Sequence, residues 1–356
     1  MKICLSGYYG FDNAGDEALL SAITSTIKQI DDSAEFVVFS GYPEKTAALH
    51  GLKAVSRINP FVIIKELWQA DLLISGGGSL LQDVTSSRSL PYYISIVLLA
   101  KLLRRPVIFY AQGIGPINRG FSKFLMHHIA NKVDLITLRD NDSISLLKEM
   151  NITKPPIKVT ADPVFTLEPS ETDYERADSV LSGFFPDVSN VIGVSVRKWR
   201  PLEGYQELLA KVLDRLVQKG YNLVFVPMDY PNDVYESHKV ANLMTEKAYV
   251  IEDNLSSFEH IALISRLDLM IGMRLHSLIF SASRGVPFAG ISYDPKIDAF
   301  VNAFGLEPLA LDYDEMNGYI DRLLEDKSMR DGVKRRSEEM KTKAEETAHL
   351  ALGLMK

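Results

Sequence analysis

Between residues 268 and 287 the chain reads Asp268-Leu-Met-Ile-Gly-Met-Arg274-Leu-His276-Ser-Leu-Ile-Phe-Ser-Ala-Ser-Arg-Gly-Val-Pro287. The apolar run before Gly272 predicts a strand, and the small and apolar residues after it predict a helix that starts near Ser277 and ends before Pro287. Arg274 and His276 would then lie between the carboxyl end of a strand and the amino end of a helix. Anions bind there in open α/β sheets because free backbone N–H groups and the helix dipole point to that place. The stretch therefore predicts an anion site.

A further cation follows the next predicted strand. Residues 287–292 are apolar enough to form that strand, and Tyr293-Asp-Pro-Lys296 lies at its carboxyl end. The alternative is an ordinary strand–helix junction at which the Arg and His are solvated or cap the helix. Two neighbouring strand ends that direct Arg, His and Lys to one place favour the site.

Length and composition narrow the class of protein. A chain of 356 residues that is 46% hydrophobic and 24% charged predicts two globular domains. The net charge of −7 and the lack of a long basic block argue against a nucleic-acid partner. Cys4 is the only cysteine, which excludes an intrachain disulfide and fits a reducing compartment. We find no signal peptide and no apolar run long enough to span a bilayer, so we expect a cytoplasmic protein.

The first residues predict the opening of a nucleotide-binding type of α/β domain. An apolar strand over residues 2–6 leads into glycines at 7, 10 and 15, and then into an amphipathic helix. These glycines do not fit the G-x-G-x-x-G spacing, so a dinucleotide cofactor is rejected. Asp16 fits a helix cap or a ligand contact equally well, and Asn13, outside the helix, is the stronger candidate for ligand contact.

Other strand ends in the first half carry glycine or polar residues. The predicted strand at residues 71–75 opens into three glycines, which permit close approach of a ligand and offer N–H groups to anions; the alternative is a tight turn. The strand at residues 135–138 is followed by Arg139 and Asp140, which could instead form a structural ion pair. We therefore predict that the functional residues lie at one edge of a parallel sheet.

Two helices, at residues 92–103 and 121–132, are unusually apolar. The first is apolar nearly all round, and the second places Phe beside Lys and His. The default interpretation is one buried helix and one amphipathic helix. The minor alternative is a face that contacts a membrane surface, which aromatic residues beside basic ones favour.

The domain boundary is predicted from a change in composition. Residues 169–190 are polar, acidic and bounded by prolines, so we predict a linker there, after an N-terminal domain at residues 1–168. A second alternation of strands and helices, at residues 191–327, begins with a strand that ends at Arg197. Residues 328–356 predict a charged helix that packs back on the body. The predicted fold is α/β, with two Rossmann-like domains whose parallel sheets face each other across a cleft, as in GT-B glycosyltransferases.

Four motifs together resemble those of the polysaccharide pyruvyl transferases, in the same order and over nearly the whole chain. The resemblance is nearest to the bacterial subgroup that pyruvylates a cell-wall polymer for anchoring surface-layer proteins. The motifs are Gly7-Tyr-Tyr-Gly-Phe-Asp-Asn-Ala-Gly-Asp-Glu17, Ser75-Gly-Gly-Gly-Ser-Leu-Leu-Gln-Asp83, Arg274-Leu-His-Ser277, and Gly285-Val-Pro287 with Ser292-Tyr-Asp-Pro-Lys296.

The resemblance implies a reaction and its partners. The family transfers pyruvate from phosphoenolpyruvate to two sugar hydroxyls as a cyclic ketal and releases phosphate. In the subgroup, the acceptor is N-acetylmannosamine, modified at its 4- and 6-hydroxyls, on an undecaprenyl-diphosphate-linked disaccharide. Such a lipid carrier would be consistent with peripheral contact at the inner face of the cell membrane. Phosphoenolpyruvate is a co-substrate, and no cofactor is expected.

The chemistry of phosphoenolpyruvate, with one phosphate and one carboxylate, requires several cations, and Arg offers a fork that matches both groups. His276 is predicted as the general acid, with Arg274 beside it in the catalytic pair. Arg197 could instead be a surface charge. We find no cluster with metal-ligand spacing and predict no metal. The predicted donor-binding residues are Arg274, Lys296, Arg197, Arg139 and Ser277; the predicted acceptor-binding residues are Asn13, Asp12, Asp16, Gly77, Gly78, Gln82 and Asp83, with the three Asp as candidate bases.

Two other functions remain open. A GT-B glycosyltransferase that uses a nucleotide sugar would have the same architecture, but it would need a site for a base and a ribose. A non-enzymatic sugar-binding protein would also have two domains, and the lack of an export signal argues against the periplasmic kind.

Overall fold

The computed structural model describes residues 1–84, 86–199 and 204–355. The chain forms two compact units. Unit 1 contains residues 1–167 and 340–356, and unit 2 contains residues 168–339.

Unit 1 is built on a parallel sheet of seven strands, in the order β3-β2-β1-β4-β5-β6-β7. Four neighbouring strands, β1, β4, β5 and β6, are apolar and buried almost throughout, as expected when helices cover both faces of a parallel sheet. The strands are β1 (Lys2–Tyr9), β2 (Glu35–Ser40), β3 (Lys53–Ser56), β4 (Leu72–Gly76), β5 (Val107–Gln112), β6 (Leu135–Leu138) and β7 (Ile157–Val159).

Helices of unit 1 cover both faces of this sheet. One hydrophobic core joins strand residues such as Leu73 and Phe109 to four helices, α3 to α6; the other joins α1 to residues near the end of the chain, Ala348 and Ala351. The helices are α1 (Ala14–Ile30), α2 (Pro43–His50), α3 (Pro60–Trp68), α4 (Ser89–Leu102), α5 (Gly120–Ala130) and α6 (Asp142–Glu149), followed by a 3-10 turn at Pro163–Thr166.

Unit 2 repeats the plan with five parallel strands, in the order β10-β9-β8-β11-β12. The strands are β8 (Val191–Ser195), β9 (Asn222–Phe225), β10 (Tyr249–Val250), β11 (Leu269–Gly272) and β12 (Phe288–Gly290). The helices are α7 (Glu171–Phe184), α8 (Tyr205–Gln218), α9 (Asn232–Ala241), α10 (Ser257–Ile264), α11 (Leu275–Ser283), α12 (Pro295–Ala303), α13 (Tyr313–Glu325) and α14 (Lys327–Gly353). The last of these contributes residues to both units.

The predicted α/β class with two parallel sheets is confirmed. Residues 268–287 form β11 and α11, and the helix starts at Leu275, two residues before the predicted start. The predicted linker at residues 169–190 is wrong, because most of it is α7, a helix of unit 2. A capping box between Ser170 and Asp173 starts this helix, and its buried side packs on α10.

Each sheet reverses its strand order at its first strand. The reversal lies between β1 and β4 in unit 1 and between β8 and β11 in unit 2. Loops that leave neighbouring strands in opposite directions open a crevice at the carboxyl ends, which is where open α/β sheets bind ligands. The loops that follow these four strands carry most of the predicted site residues.

The glycine tract after β4 is required by the packing of unit 1. Gly77 has a φ of +82°, and a Cβ there would lie 2.9 Å from the Cβ of Leu19 on α1. Both the left-handed backbone and the close contact exclude a side chain.

We therefore expect Gly77→Ala to lower the free energy of unfolding by roughly 2–4 kcal/mol, through backbone strain and overpacking. Gly51→Ala is the matched control, since Gly51 also has a positive φ, +64°, but has open space around it; it should cost only about 1–2 kcal/mol. Urea denaturation measures both. Equal losses of unfolding free energy in the two variants would show that the contact with Leu19 does not contribute to the effect.

Candidate functional site

Arg274 begins α11 and forms the most buried ion pair of unit 2's carboxyl edge. Its Nε donates to Asp233 Oδ2 at 2.8 Å, and its Nη2 donates to Asp233 Oδ1 at 2.6 Å and to Asp229 Oδ2 at 2.9 Å. Both carboxylates follow β9, one on the loop and one in the first turn of α9. The guanidinium predicted as a ligand for the donor is thus held by two carboxylates of the protein itself.

Burial dominates the electrostatics of this pair. The side chain of Asp233 is 1% exposed, and burial raises the pKa of this carboxyl although Arg274 opposes the shift. Burial acts to lower the pKa of Arg274, but Asp233 and Asp229 outweigh it and leave the pKa raised. Arg274 therefore stays charged, and its side chain is fixed in place by a bidentate contact.

His276 and Ser277 occupy the first turn of α11. The partly buried ring of His276 lies beside Phe280, with ring centroids 6.2 Å apart. Ser277 is fully buried, and its Oγ donates to the Arg274 carbonyl at 2.7 Å. The hydroxyl therefore uses its one donor at the start of the helix, and a role of Ser277 in donor binding stays a prediction.

Arg197 follows β8, the strand next to β11, and lies among aromatic rings. Its Nη1 is 3.4 Å from the Tyr293 hydroxyl, and its guanidinium carbon is 5.1 Å from the centre of the Trp199 ring. Burial raises the pKa of Tyr293, so its hydroxyl stays protonated at neutral pH. An arginine held this way is positioned and only partly solvated, unlike the surface charge considered as its alternative.

Lys296 is the more accessible cation of this edge. It lies in the first turn of α12, and its side chain is 40% exposed, with Nζ 3.3 Å from Asp294 Oδ2. Asp294 also caps α12 by accepting from the Lys296 backbone N–H at 3.1 Å. The carboxyl ends of β8, β11 and β12 thus bring Arg197, His276 and Lys296 to one edge of the sheet.

Arg139 belongs to unit 1, whereas the other predicted donor residues belong to unit 2. Its Nη1 donates to Asp162 at 2.8 Å and its Nη2 to Ser79 Oγ at 3.0 Å. The considered ion pair with Asp140 is wrong, because Asp140 instead accepts from the backbone N–H and hydroxyl of Ser143. Arg139 therefore ties the loop after β4 to the end of β7.

The cap of α1 is Asn13, and not Asp16, for which capping was one of two interpretations. Asn13 is the N-cap of α1, and its side chain accepts from the N–H groups of Gly15 at 3.1 Å and Asp16 at 3.2 Å. Asp16 lies inside the first turn, close to the backbone of Gly78. Asp12 has a φ of +58° and pairs with Lys45 at 2.5 Å.

The end of the second motif is structural. Gln82 accepts from the Val84 N–H at 2.8 Å. Asp83 is buried, and its two oxygens accept from the N–H groups of Asn118 and Arg119, each at 2.9 Å. Burial acts to raise the pKa of Asp83, but these bonds and the Ser122 hydroxyl outweigh it and hold the pKa below its ordinary value. A carboxylate with both oxygens engaged and a lowered pKa is a poor general base.

An aromatic cluster at the carboxyl edge of unit 1 was not predicted. Tyr8 and Phe11 stack with ring centroids 4.3 Å apart, and Tyr42 meets Phe11 edge-on at 6.0 Å. The Arg57 guanidinium lies over the Tyr92 ring at 4.3 Å and 5.4 Å from the Phe11 centroid. Tyr8 and Tyr42 are exposed. The spacing of three aromatic residues around Gly10 is the sequence signal that could have marked this cluster.

Within residues 1–84, 86–199 and 204–355, no group of three or more His, Cys, Asp or Glu is placed to hold a metal ion. In that part of the chain, no helix is both long and apolar enough to cross a bilayer.

Solved structures place the fold in the GT-B-like class. UDP-GlcNAc 2-epimerase from Neisseria meningitidis, bound to UDP-GlcNAc, superposes with a TM-score of 0.69 at 13% identity, over 99% of this chain and 100% of that one. HepE from Anabaena, in complex with UDP-glucose, superposes with a TM-score of 0.66 at 15% identity, over 99% of each chain. At such low identity, the likeness concerns the fold alone.

The family follows from the sequence model of the polysaccharide pyruvyl transferases, which matches residues 13–295. The chain belongs to this family. A curated relative, the amylovoran biosynthesis protein AmsJ of Erwinia amylovora, is 24% identical over 263 residues, which cover 69% of this chain and 62% of that protein. This chain thus spans less than two thirds of the relative's length.

The role of Asp83 can be tested by its stability and pH dependence. Because the pKa is lower in the folded chain than its ordinary 3.8, the ionised carboxylate stabilises the fold at neutral pH, and this contribution is lost as the pH falls below about 3.8. We expect Asp83→Asn to lower the free energy of unfolding by about 1–3 kcal/mol at pH 7, with a smaller difference from wild type near pH 3. Asp32→Asn, at an exposed turn, is the control. Unchanged stability with lost activity would instead assign Asp83 to the reaction.

Proposed function

We propose that this protein transfers pyruvate from phosphoenolpyruvate to a sugar, forms a cyclic ketal on two hydroxyls and releases phosphate. The observation that carries the proposal is the arrangement in unit 2, where three strand ends bring two cations and an imidazole to one edge. Family membership supports the transfer of pyruvate in a general sense. The donor, the ketal and the acceptor are our proposal.

The donor is assigned to unit 2. Phosphoenolpyruvate carries two anionic groups, and Lys296 and Arg197 supply the cations with accessible or incompletely engaged donors. We assign a different role to Arg274, whose fork already binds Asp233. It fixes the backbone at the start of α11 and so positions His276.

His276 delivers a proton to the methylene carbon of the donor, and the C2 carbon becomes cationic. One sugar hydroxyl attacks C2 and loses its proton, phosphate leaves, and the second hydroxyl closes the ring and loses its proton. Of the two released protons, one replaces the proton that His276 donated and the other protonates the departing phosphate, so the products are the ketal and hydrogen phosphate. Of the three Asp considered as base, Asp83 accepts from two backbone N–H groups and Asp12 pairs with Lys45, which argues against both.

The acceptor is assigned to unit 1. We propose N-acetylmannosamine, modified at its 4- and 6-hydroxyls, on an undecaprenyl-diphosphate-linked cell-wall precursor of the kind used for surface-layer anchoring, at the inner face of the membrane. The exposed rings of Tyr8 and Tyr42 offer faces on which a sugar ring could stack, since the negative face of an aromatic ring attracts C–H groups. The family, described as polysaccharide pyruvyl transferases, supports a saccharide acceptor in general terms.

A nucleotide-sugar glycosyltransferase is the second candidate. It is considered because glycosyltransferases of this class share the GT-B-like fold. Stabilisation against heat by UDP, and not by phosphoenolpyruvate, would support it. A sugar-binding protein without activity would leave both the donor and the sugar unaltered.

The proposal is tested by phosphate release from phosphoenolpyruvate, with and without an N-acetylmannosamine disaccharide that carries a short lipid. We expect phosphate release that depends on the acceptor, and a product heavier by one pyruvate ketal in mass analysis. In the same assay, His276→Gln should reduce kcat by roughly 10²–10⁴-fold.

The control for His276 is His238→Gln, since His238 is half-exposed on α9 and pairs with Glu252. A His276 variant with near-wild-type kcat would remove this residue from the mechanism. No phosphate release with any sugar acceptor would contradict the proposed reaction.

The aromatic cluster gives a separate test of the acceptor side. Tyr42→Ala should raise KM for the acceptor by roughly 2–10-fold, because a stacked contact is lost, with KM for phosphoenolpyruvate unchanged. Tyr235→Ala, at an exposed tyrosine of unit 2, is the control. Parallel changes in both KM values would argue for a general loss of structure.

A further inference from the structure

We propose that unit 1 binds the surface of an anionic membrane through the outer faces of α3, α4 and α5. These three helices lie side by side on one face of the seven-stranded sheet, because α4 packs against both α3 and α5 and all three share one hydrophobic core. Their outer faces therefore form one continuous surface, here called the helical face.

α3 is apolar on both of its sides. Ile63 and Leu67 are buried against the sheet, as an amphipathic helix requires. The opposite side carries Phe61, Ile64 and Trp68, which are spaced at i, i+3 and i+7 and are 83%, 39% and 64% exposed. A single exposed apolar residue needs no explanation, but a full stripe along a helix marks an interaction surface.

The neighbouring helices continue this pattern. α4 presents Leu102, which is 70% exposed, beyond the half-buried Leu98 and Leu99. The segment after α4 contacts the end of α3, because Arg105 donates to the carbonyl of Trp68 at 2.6 Å. On α5, Phe121 and Phe124 are both more than half exposed.

The segment that contains α4 and α5 is rich in cations, one of which, Lys101, pairs with Asp134 at 2.7 Å. Between Asp83 and Asp134 the chain contains no Asp or Glu, although its net charge is −7. On α3, the acid Glu66 is buried and paired with Lys2 and Lys53, whereas Lys65 is exposed. The seven cations of the acid-free segment are Arg88, Lys101, Arg104, Arg105, Arg119, Lys123 and Lys132.

The excess of cations near the helical face favours an anionic partner. A second copy of the chain, docked by the same face about a two-fold axis, would bring these cations toward each other. An anionic lipid surface neutralises them and accepts the aromatic and leucine side chains at the level of its headgroups. Membrane binding would give access to the lipid-linked acceptor, and only this benefit rests on the proposed function. The test of binding does not require activity.

The test is flotation of the full chain with vesicles of phosphatidylglycerol and phosphatidylcholine mixed, compared with phosphatidylcholine alone. We expect binding to the anionic vesicles that weakens with salt. The double variant Phe61→Ser/Trp68→Ser should lower the partition coefficient by roughly tenfold or more, and Arg104→Glu/Lys123→Glu should lower it to a similar extent.

Matched controls come from exposed positions of unit 2. Tyr235→Ser/Leu243→Ser removes two exposed apolar residues, and Lys211→Glu reverses an exposed cation on α8; both should bind as wild type does. All variants should keep phosphate release with a short-lipid acceptor, so that failed flotation and a failed reaction remain distinct results.

Three results would overturn the inference. They are no flotation of the wild type with anionic vesicles, equal flotation of the wild type and both double variants, and binding that ignores lipid charge. A wild-type dimer that Phe61→Ser/Trp68→Ser makes monomeric, without flotation, would assign the helical face to contact between copies of the chain.

Discussion

The positions of the candidate functional residues in this protein depend on one topological constraint. Parallel strands are joined by crossover connections, and these connections are right-handed. When strands are added on both sides of the first strand, the loops that follow neighbouring strands there run in opposite directions. In unit 2 the constraint brings Arg197, after β8, beside the start of α11, after β11. In unit 1 it brings the first glycine-rich loop beside the tract at Gly77 and Gly78. The loops differ in sequence, but their meeting places are set by strand order.

Within unit 2, the buried ion pair of Arg274 fixes the orientation of its side chain. Two carboxylates hold the guanidinium, so its field on a bound anion is reduced, while its orientation is fixed at two points. In the proposed site, Arg197 and Lys296 bind the anion, and Arg274 holds the start of the helix.

The sequence was sufficient for the sheets, because buried parallel strands are continuous apolar runs, and for placing Arg197, His276 and Lys296 at one edge, because glycine and charged residues follow the strands. It was insufficient where partners come from distant segments. Nothing local marked Asp233 as the partner of Arg274, and nothing local showed that Asn13 would cap α1. α7 was missed because only three of its residues are buried, within an acidic segment.

The order of the chain has a consequence for how the protein is made. The core of unit 1 includes Ala348 and Ala351, which follow all of unit 2 in the sequence. Domains fold during synthesis roughly in the order in which they emerge from the ribosome. Unit 2 can therefore be complete while unit 1 still lacks part of the layer over one face of its sheet. For that interval, the apolar surface that these alanines later cover is open to chaperones.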